Sequence, residues 1–252
     1  MVDKPLSGKV AIVTGAGKNI GRAIALGLSE DGAAVVVNGR SDKAAIDRVA
    51  GEIRSAGGTA LPLLADVSDE QAVAGMVEQA VAEFGGVDIV VSNAGLRRQT
   101  PFQDMAYTEW REILSVALDG AFLLANAAVP HMVARGGGAF VGMSGLSHHV
   151  GTPNRAHVSA SKAGLEGFIR GLAMELAPDN ITVNAVAPGA IDTVRGASAG
   201  ASPSGALVAG IPLGRKGRTE EIAAAVRFLV GPSAAYITGQ TMHVNGGLFL
   251  AK

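Results

Sequence analysis

Short apolar runs alternate with longer amphipathic segments along the whole chain. The runs are rich in valine, isoleucine and alanine and lack regular polar alternation, which is typical of strands buried on both faces. We predict strands over residues 10–13, 34–37, 60–64, 87–91, 139–143, 181–187 and 242–244.

The segments between these runs carry apolar residues at helical spacing. They predict helices over residues 20–30, 42–56, 69–84, 108–134, 156–177 and 220–230. Strands separated by helices favour a parallel sheet covered on both faces. We therefore expect an α/β fold with a Rossmann-type, doubly wound, seven-stranded parallel sheet. No linker or repeat divides the sequence, which predicts a single domain over residues 1–252.

One irregular segment, residues 194–210, is rich in glycine, alanine and serine. It follows the sixth predicted strand, and ligands of such sheets bind at the carboxyl ends of the strands. We expect this segment to act as a substrate lid, with an ordinary surface loop as the alternative.

The charge and composition limit the possible partners. The net charge is −1 and no basic stripe interleaves with aromatic residues, so neither nucleic acid nor a membrane surface is expected as a partner. The most apolar stretch, residues 121–132, is interrupted by Asn126 and Pro130 and is too short to cross a bilayer. Cysteine is absent, which excludes disulfides and thiolate ligands, and no metal site is expected. The N-terminus lacks an apolar leader, which favours the cytoplasm.

Charged residues make up only 17% of the chain. This is below the roughly 25% of an average soluble protein, so we expect part of the surface to be buried in a homo-oligomer. The alternative is a large core beneath an alanine- and glycine-rich surface.

A glycine-rich turn, Thr14-Gly15-Ala16-Gly17-Lys18-Asn19-Ile20-Gly21, joins the first predicted strand to the first helix. Such a turn lets backbone N–H groups approach a pyrophosphate at the helix N-terminus. The G-x-G-x-x-G spacing fails because Ile20 occupies its third glycine position. Asn19 stands at the middle glycine of the T-G-x-x-x-G-x-G spacing, and asparagine tolerates a positive φ. We predict that this turn binds a dinucleotide.

The end of the second predicted strand selects the form of that dinucleotide. NAD-specific folds carry an acid here for the ribose 2′-hydroxyl, whereas this chain has Arg40 and Ser41. Arg40 and Lys18 would place two cations around a 2′-phosphate, which favours NADP(H) over NAD(H). Two solvated surface cations are the alternative.

Further motifs lie at the ends of the third, fourth, sixth and seventh predicted strands. They are Asp66-Val67, Ser92-Asn93-Ala94-Gly95, Asn184-Ala185-Val186-Ala187-Pro188-Gly189 with Ile191 and Thr193, and Asn245-Gly246-Gly247. With the glycine-rich turn, they resemble the short-chain dehydrogenase/reductase family, of the 3-oxoacyl reductase-like kind, over nearly the whole chain. The resemblance implies that Asp66 and Val67 hold adenine, that Asn93, Ala94 and Gly95 belong to the cofactor site, and that Pro188, Gly189, Ile191 and Thr193 line the nicotinamide carboxamide.

The catalytic positions depart from the family's pattern. Lys162 matches the lysine of the family's Tyr-x-x-x-Lys pair, a residue that the resemblance also implies in ribose binding. The tyrosine position holds Val158, the serine position thirteen residues earlier holds Gly145, and the asparagine position of the fourth long helix holds Ala117. Reduction of a carbonyl needs a proton, which the family's tyrosine supplies. The usual acid and the usual polarising hydroxyl are therefore absent from these positions.

Three histidines lie near the vacant positions in sequence, namely His148, His149 and His157. Histidine suits proton transfer, so each is a candidate donor, with a surface or interface role as the alternative. On a regular helix His157 sits 140° from Lys162 and would point elsewhere, for example toward a subunit interface. If the helix begins only near His157, its ring could turn inward.

Two functions follow from these observations. The first is an NADP(H)-dependent oxidoreductase with a non-standard proton donor, acting on a small carbonyl, alcohol or enoyl substrate. The second is a catalytically impaired nucleotide-binding protein that serves as a sensor or as a structural subunit. The resemblance implies a dimer or a tetramer for either function.

Overall fold

Valine, isoleucine and alanine fill the strands because both faces of the sheet are covered by helices. The computed structural model describes residues 4–194 and 209–250. Within these ranges, seven parallel strands form one sheet in the order β3-β2-β1-β4-β5-β6-β7. The strands are β1 (Val10–Val13), β2 (Ala34–Gly39), β3 (Thr59–Leu64), β4 (Ile89–Ser92), β5 (Gly138–Met143), β6 (Ile181–Pro188) and β7 (Thr241–Val244).

Helices follow the strands and pack on both faces of the sheet. They are α1 (Asn19–Glu30), α2 (Lys43–Ser55), α3 (Glu70–Phe84), α4 (Tyr107–Leu114), α5 (Gly120–Ala134), α6 (Ser147–Val150), α7 (Ala156–Leu176) and α8 (Thr219–Val230). One apolar core contains buried residues of α1, α2 and α8, and the other contains buried residues of α3, α5 and α7. The doubly wound, single-domain α/β fold predicted from the sequence is confirmed.

Side-chain caps fix where two of these helices begin. The Asp42 carboxylate accepts a hydrogen bond from Ala45 N, and the Asp69 carboxylate accepts one from Ala72 N, each at 3.0 Å. These bonds satisfy backbone donors that the first turn of a helix leaves without a partner. Both aspartates come soon after the end of a strand, so each strand passes into its helix through a short connection.

The helix predicted over residues 108–134 is present but less regular than expected. A π-helical turn, Ser115–Asp119, joins α4 to α5 without a break. By length and composition alone the whole run, Tyr107–Ala134, is long and apolar enough to cross a membrane, and it contains the shorter stretch 121–132 considered in the sequence. The run is apolar because it packs into the second core, where Leu124, Ala128 and Met132 are fully or almost fully buried.

The described parts of the connection between β6 and α8 are residues 189–194 and 209–218. Ile191 forms an isolated bridge with Gly217, which brings the two parts together. The predicted lid, residues 194–210, lies outside the described residues except at its two ends. Its role stays a prediction.

Candidate functional site

The turn between β1 and α1 requires glycine at two positions. Gly15 has a φ of +60°, a backbone conformation that side chains disfavour. A β-carbon at Gly21 would lie 2.3 Å from the Gly15 carbonyl oxygen, so only glycine fits there. Asn19 has a φ of +51°, consistent with the tolerance expected of asparagine at this position. The turn therefore keeps the close backbone approach that the glycine spacing predicts.

Thr14 and Asn93 fasten this turn to the end of β4. The Thr14 hydroxyl accepts hydrogen bonds from the backbone N–H groups of Asn93 and Ala94, both at 3.0 Å. The Asn93 side chain donates to the Thr14 carbonyl at 2.8 Å. Sequence reasoning gave Thr14 no role, although its place at the end of β1 beside β4 was a usable signal.

The Asn19 side chain also contacts the connection that follows β6. Its amide donates to the Val194 carbonyl at 2.8 Å and its oxygen accepts from Val194 N at 3.0 Å. A glycine at position 19 could make neither bond. The asparagine that replaces the family's glycine thus joins the glycine-rich turn to the first residue of the predicted lid.

A cavity of about 190 Å³ continues from this turn across the ends of β2 to β4. The predicted cofactor residues that line it are Gly15, Arg40, Asp66, Val67, Ala94 and Gly95. Burial acts to raise the pKa of Asp66, but hydrogen bonds from Ser68 and the charge of Arg40 lower it. Lys18 and Ser41 are exposed and Ile20 is buried. A larger cavity of about 440 Å³ lies at the opposite edge of the sheet, away from all the predicted site residues.

Lys162 lies one helical turn after Val158 and close to Gly95, which lines the cavity. Its ammonium donates to the Met143 carbonyl at 2.6 Å and lies near Gly95. Burial, followed by the positive charge of Arg97, lowers the pKa of Lys162 to about 8. The lysine is therefore held between β4, β5 and α7.

The segment after β6 borders the same edge. Gly189 N donates to the Val244 carbonyl at 2.9 Å, and a β-carbon at Gly189 would lie 2.7 Å from Asn245 Cα. Pro188 ends β6 in register with Val244 of β7. Ile191, which bridges to Gly217, and Thr193 follow in the connection after β6, and their contact with a carboxamide stays a prediction.

The three unusual catalytic positions lack polar side chains. Val158 is buried, Ala117 lies buried in the π-helical turn, and Gly145 faces open space, with no atom within 4 Å of a β-carbon built there. π-Helical turns occur frequently at functional sites. Here the turn is present, but Ala117 stands where the family has its asparagine. These three positions offer no proton and no hydroxyl.

Two of the candidate histidines converge on a glutamate that sequence reasoning missed. His148 Nε2 lies 3.1 Å and His149 Nε2 lies 3.2 Å from the same carboxylate oxygen, Oε1 of Glu166. The Ser144 hydroxyl donates to this oxygen at 2.6 Å. We call His148, His149 and Glu166 the histidine cluster.

The electrostatics of the histidine cluster favour a charged Glu166. Burial acts to raise its pKa, but the interactions with His148, Ser144 and His149 outweigh it and lower the pKa to about 2. Glu166 is therefore a carboxylate at any ordinary pH. A buried carboxylate of this kind stabilises an imidazole N–H that points at it.

Aromatic rings from the C-terminal region cover one side of the cluster. His243 of β7 lies with its ring centroid 4.6 Å from that of His149, and Phe249 stacks on His149 at 4.8 Å. The turn at Asn245 returns the chain to this position, because its side chain donates to the Phe249 carbonyl at 3.1 Å. Burial, and then the charge of His149, lower the pKa of His243.

His157 lies in a different environment from His148 and His149. Its ring is fully buried, and Nε2 lies 3.0 Å from Glu109 of α4. Glu109 also accepts from the Thr100 hydroxyl at 2.6 Å. Because α7 begins at Ala156, the second alternative holds for His157, and its ring turns inward within one chain. The ring joins the start of α7 to α4 and is not part of the histidine cluster.

A helical register could have identified Glu166 from the sequence. Val158, Lys162 and Glu166 are four residues apart, so they lie on one face of α7 with offsets of about 40°. The same face that carries Lys162 therefore carries Glu166 one turn later. Ser144, His243 and Phe249 gave no comparable local signal, because their contacts with the cluster depend on sheet topology.

The described residues fit a bound dinucleotide. The cradle between Gly15 and Gly21 admits no β-carbon, the cavity beside Arg40 continues from it, and Lys162 lies close to the cavity wall. Such a cradle at a helix N-terminus suits a pyrophosphate.

Comparison with known proteins finds relatives that match almost the whole chain. A family model described as Enoyl-(Acyl carrier protein) reductase matches residues 15–249. The 3-oxoacyl-(acyl-carrier-protein) reductase FabG of Staphylococcus aureus is 39% identical over 242 residues, which cover 96% of this chain and 98% of the relative. The cis-4-hydroxycyclohexanecarboxylate dehydrogenase of Sinomonas cyclohexanicum is 40% identical over 240 residues, covering 95% and 96%.

A solved structure with a related sequence also has a similar fold. A double mutant of a Serratia marcescens short-chain dehydrogenase/reductase superposes with a TM-score of 0.89. It is 35% identical, and the match covers 97% of this chain and 99% of the other.

Proposed function

Because the chain belongs to the short-chain dehydrogenase/reductase family, an oxidoreductase family, we propose that it is an NADP(H)-dependent oxidoreductase whose carbonyl-activating group is the histidine cluster. The observation that carries the proposal is the shared contact of His148 and His149 with the buried Glu166 carboxylate. The cluster lies one helical turn from Lys162 and beside the end of β5. In this proposal it takes over the role of the family's tyrosine and serine, whose positions hold Val158 and Gly145.

The cofactor preference rests on the charges at the end of β2. Arg40 lines the cavity there, and Lys18 is exposed on the turn before α1. A 2′-phosphate would take hydrogen bonds and charge from both cations. The residues that end β2 include no carboxylate to bind a free 2′-hydroxyl, which supports NADP(H) over NAD(H).

NADPH, when bound, supplies a hydride for the carbonyl carbon of a substrate. Gly15, Asn19 and Gly21 would hold the pyrophosphate, and Lys162 would bind the nicotinamide ribose. Residues 188–193 would border the carboxamide. These residues orient the dinucleotide and leave the carbonyl oxygen to be polarised by another group.

The histidine cluster is the group that polarises the carbonyl oxygen. An imidazole N–H of His148 or His149 donates a hydrogen bond to the carbonyl oxygen and then gives up its proton. Glu166 keeps the His149 ring oriented and compensates the positive charge, as a carboxylate partner does in other histidine sites. Phe249 and His243 cover the cluster and restrict water on that side.

We propose a small ketone or its alcohol as the substrate class, with conjugated enoyl compounds as the second class. The two relatives named above act on an oxo or hydroxy group, by their names, which supports the first class. A cytoplasmic location and a homo-oligomer are part of the same proposal. Phe122 and Phe168, in edge-to-face contact on the outer sides of α5 and α7, support an oligomer surface there.

A panel of cyclic and linear ketones, β-keto thioesters, quinones and enoyl thioesters tests the proposal, with NADPH oxidation followed by its absorbance. We expect turnover of at least one ketone, with a preference for NADPH over NADH. Tight NADPH binding without turnover of any panel member would instead support the nucleotide-binding alternative, which the apolar residues at positions 117, 145 and 158 favour.

A further inference from the structure

The histidine cluster has the composition of a divalent metal site. Two imidazole nitrogens and one carboxylate oxygen, from His148, His149 and Glu166, lie within 4.8 Å of one another. Two histidines and one glutamate form a donor set that zinc takes in catalytic sites, where a fourth position stays open.

His148 provides an independent observation. Its side chain is only 9% exposed, yet neither ring nitrogen makes a hydrogen bond among the described residues. Nε2 lies close to the Glu166 oxygen but is not directed at it as a hydrogen-bond donor. Buried polar atoms are nearly always satisfied, so a ring with two unsatisfied nitrogens indicates a missing partner.

The distances agree with coordination of one ion. Ligand atoms that lie 2.0–2.1 Å from a tetrahedral ion are separated by about 3.3 Å. The two Nε2 atoms lie 3.1 and 3.2 Å from Glu166 Oε1. The Ser144 hydroxyl donates to the same oxygen at 2.6 Å, and hydrogen bonds of this kind orient the carboxylates that ligate metals.

We propose that His148, His149 and Glu166 bind one Zn²⁺ ion per chain. Nitrogen ligands favour zinc or another late first-row ion over Mg²⁺ and Ca²⁺, which prefer oxygen. The effect on turnover rests on the proposed function: the ion then takes the place of the imidazole N–H against the carbonyl oxygen. The hydride of NADPH goes to the carbonyl carbon and water supplies the proton, so that one ketone, one NADPH and one proton give one alcohol and one NADP⁺.

Isothermal titration of the metal-stripped, full-length protein with Zn²⁺ tests the site without any substrate. We expect one ion per chain with micromolar or tighter affinity, and no comparable heat with Mg²⁺. His149→Ala and Glu166→Gln should each weaken Zn²⁺ binding about 100-fold or more. His131→Ala is the matched control, because His131 lies on α5 with its partner Glu78 and outside the cluster.

Cobalt substitution keeps the test decisive if a cluster variant folds poorly. Co²⁺ bound by two imidazoles and a carboxylate in the wild-type protein should give visible absorption bands typical of tetrahedral coordination. Absence of Zn²⁺ uptake by the wild-type protein, or uptake that His149→Ala leaves unchanged, would overturn the site. Zinc binding without turnover of any substrate would leave the site standing and refute the proposed function. Turnover by metal-free protein that also fails to bind zinc would refute the zinc site and leave the proposed function standing.

Discussion

Gly21 lies so close to Gly15 that a β-carbon at position 21 would stand 2.3 Å from the Gly15 carbonyl oxygen. The same β-carbon would lie 2.6 Å from the Asn93 side-chain nitrogen. The Asn93 side chain also donates to the Thr14 carbonyl and so holds the glycine-rich turn against the end of β4, which leaves the turn no room to relax around a larger residue.

We therefore expect Gly21→Ala to lower the free energy of unfolding by roughly 1–3 kcal/mol and to abolish NADPH binding. Gly75→Ala in α3 is the matched control. No atom lies within 4 Å of a β-carbon at Gly75, and the change should raise stability by about 0.5–1 kcal/mol. Urea unfolding and NADPH fluorescence titration measure both effects. Normal NADPH affinity in Gly21→Ala would contradict the assignment of the turn.

Arg40→Asp should exchange the cofactor preference. The substitution removes a cation from the cavity wall and places a carboxylate where it can accept from a ribose 2′-hydroxyl. Hydrogen bonds to charged groups contribute about 1.5–3 kcal/mol, so NADPH affinity should fall about 10- to 100-fold while NADH affinity rises.

The matched control is Arg48→Asp, which makes the same charge change at an exposed position of α2. Dissociation constants for both cofactors are measured at one salt concentration, because surface electrostatics depend on it. Equal loss of NADPH affinity in the two variants would show that Arg40 acts only through net charge.

Lys162 should make stability depend on pH in the alkaline range. Its pKa is lowered from 10.5 to about 8 in the folded protein. Between these two values the unfolded chain holds a proton that the folded chain has lost, so the free energy of unfolding rises with pH. Lys162→Met removes this contribution.

The difference in stability between wild type and Lys162→Met should therefore increase in favour of wild type as pH rises between these two pKa values. Chemical denaturation at several pH values measures it, and Lys4→Met, at an exposed lysine, is the control. Parallel curves for wild type and Lys162→Met would show that Lys162 keeps an ordinary pKa.

Restoring the family's side chains should create activity that does not need the histidine cluster. Gly145 has space for a serine side chain, and Val158 precedes Lys162 by one helical turn. In a protein that also carries His148→Ala and His149→Ala, we expect Gly145→Ser with Val158→Tyr to reduce ketones. Gly145→Ser with Val158→Phe has the same ring without the hydroxyl and should be about 10²-fold slower. Equal rates would mean that the tyrosine hydroxyl does not reach the substrate.

The fold was predictable because each element carries its own local pattern. The valine-rich runs at β1 and β2 and the strand–turn–helix at Gly15 and Gly21 are short-range features, whereas the order of the strands in the sheet was not predicted. The histidine cluster was only partly predictable. His148 and His149 were visible in the sequence, but Glu166 lies on another element and Phe249 reaches them through the turn at Asn245. His157 was ambiguous because its partner, Glu109, comes from α4, 48 residues away in sequence.

The rate of hydride transfer from NADPH to a ketone in a single turnover tests the proposed function most directly. Wild type is compared with the His148→Ala/His149→Ala double variant, with His131→Ala as the control and NADPH saturating throughout. We expect transfer at least about 10²-fold slower in the double variant, an unchanged rate in His131→Ala, and closely similar NADPH affinity in all three proteins. An equal rate in wild type and the double variant would contradict the proposed function, because the group that activates the carbonyl would then lie elsewhere.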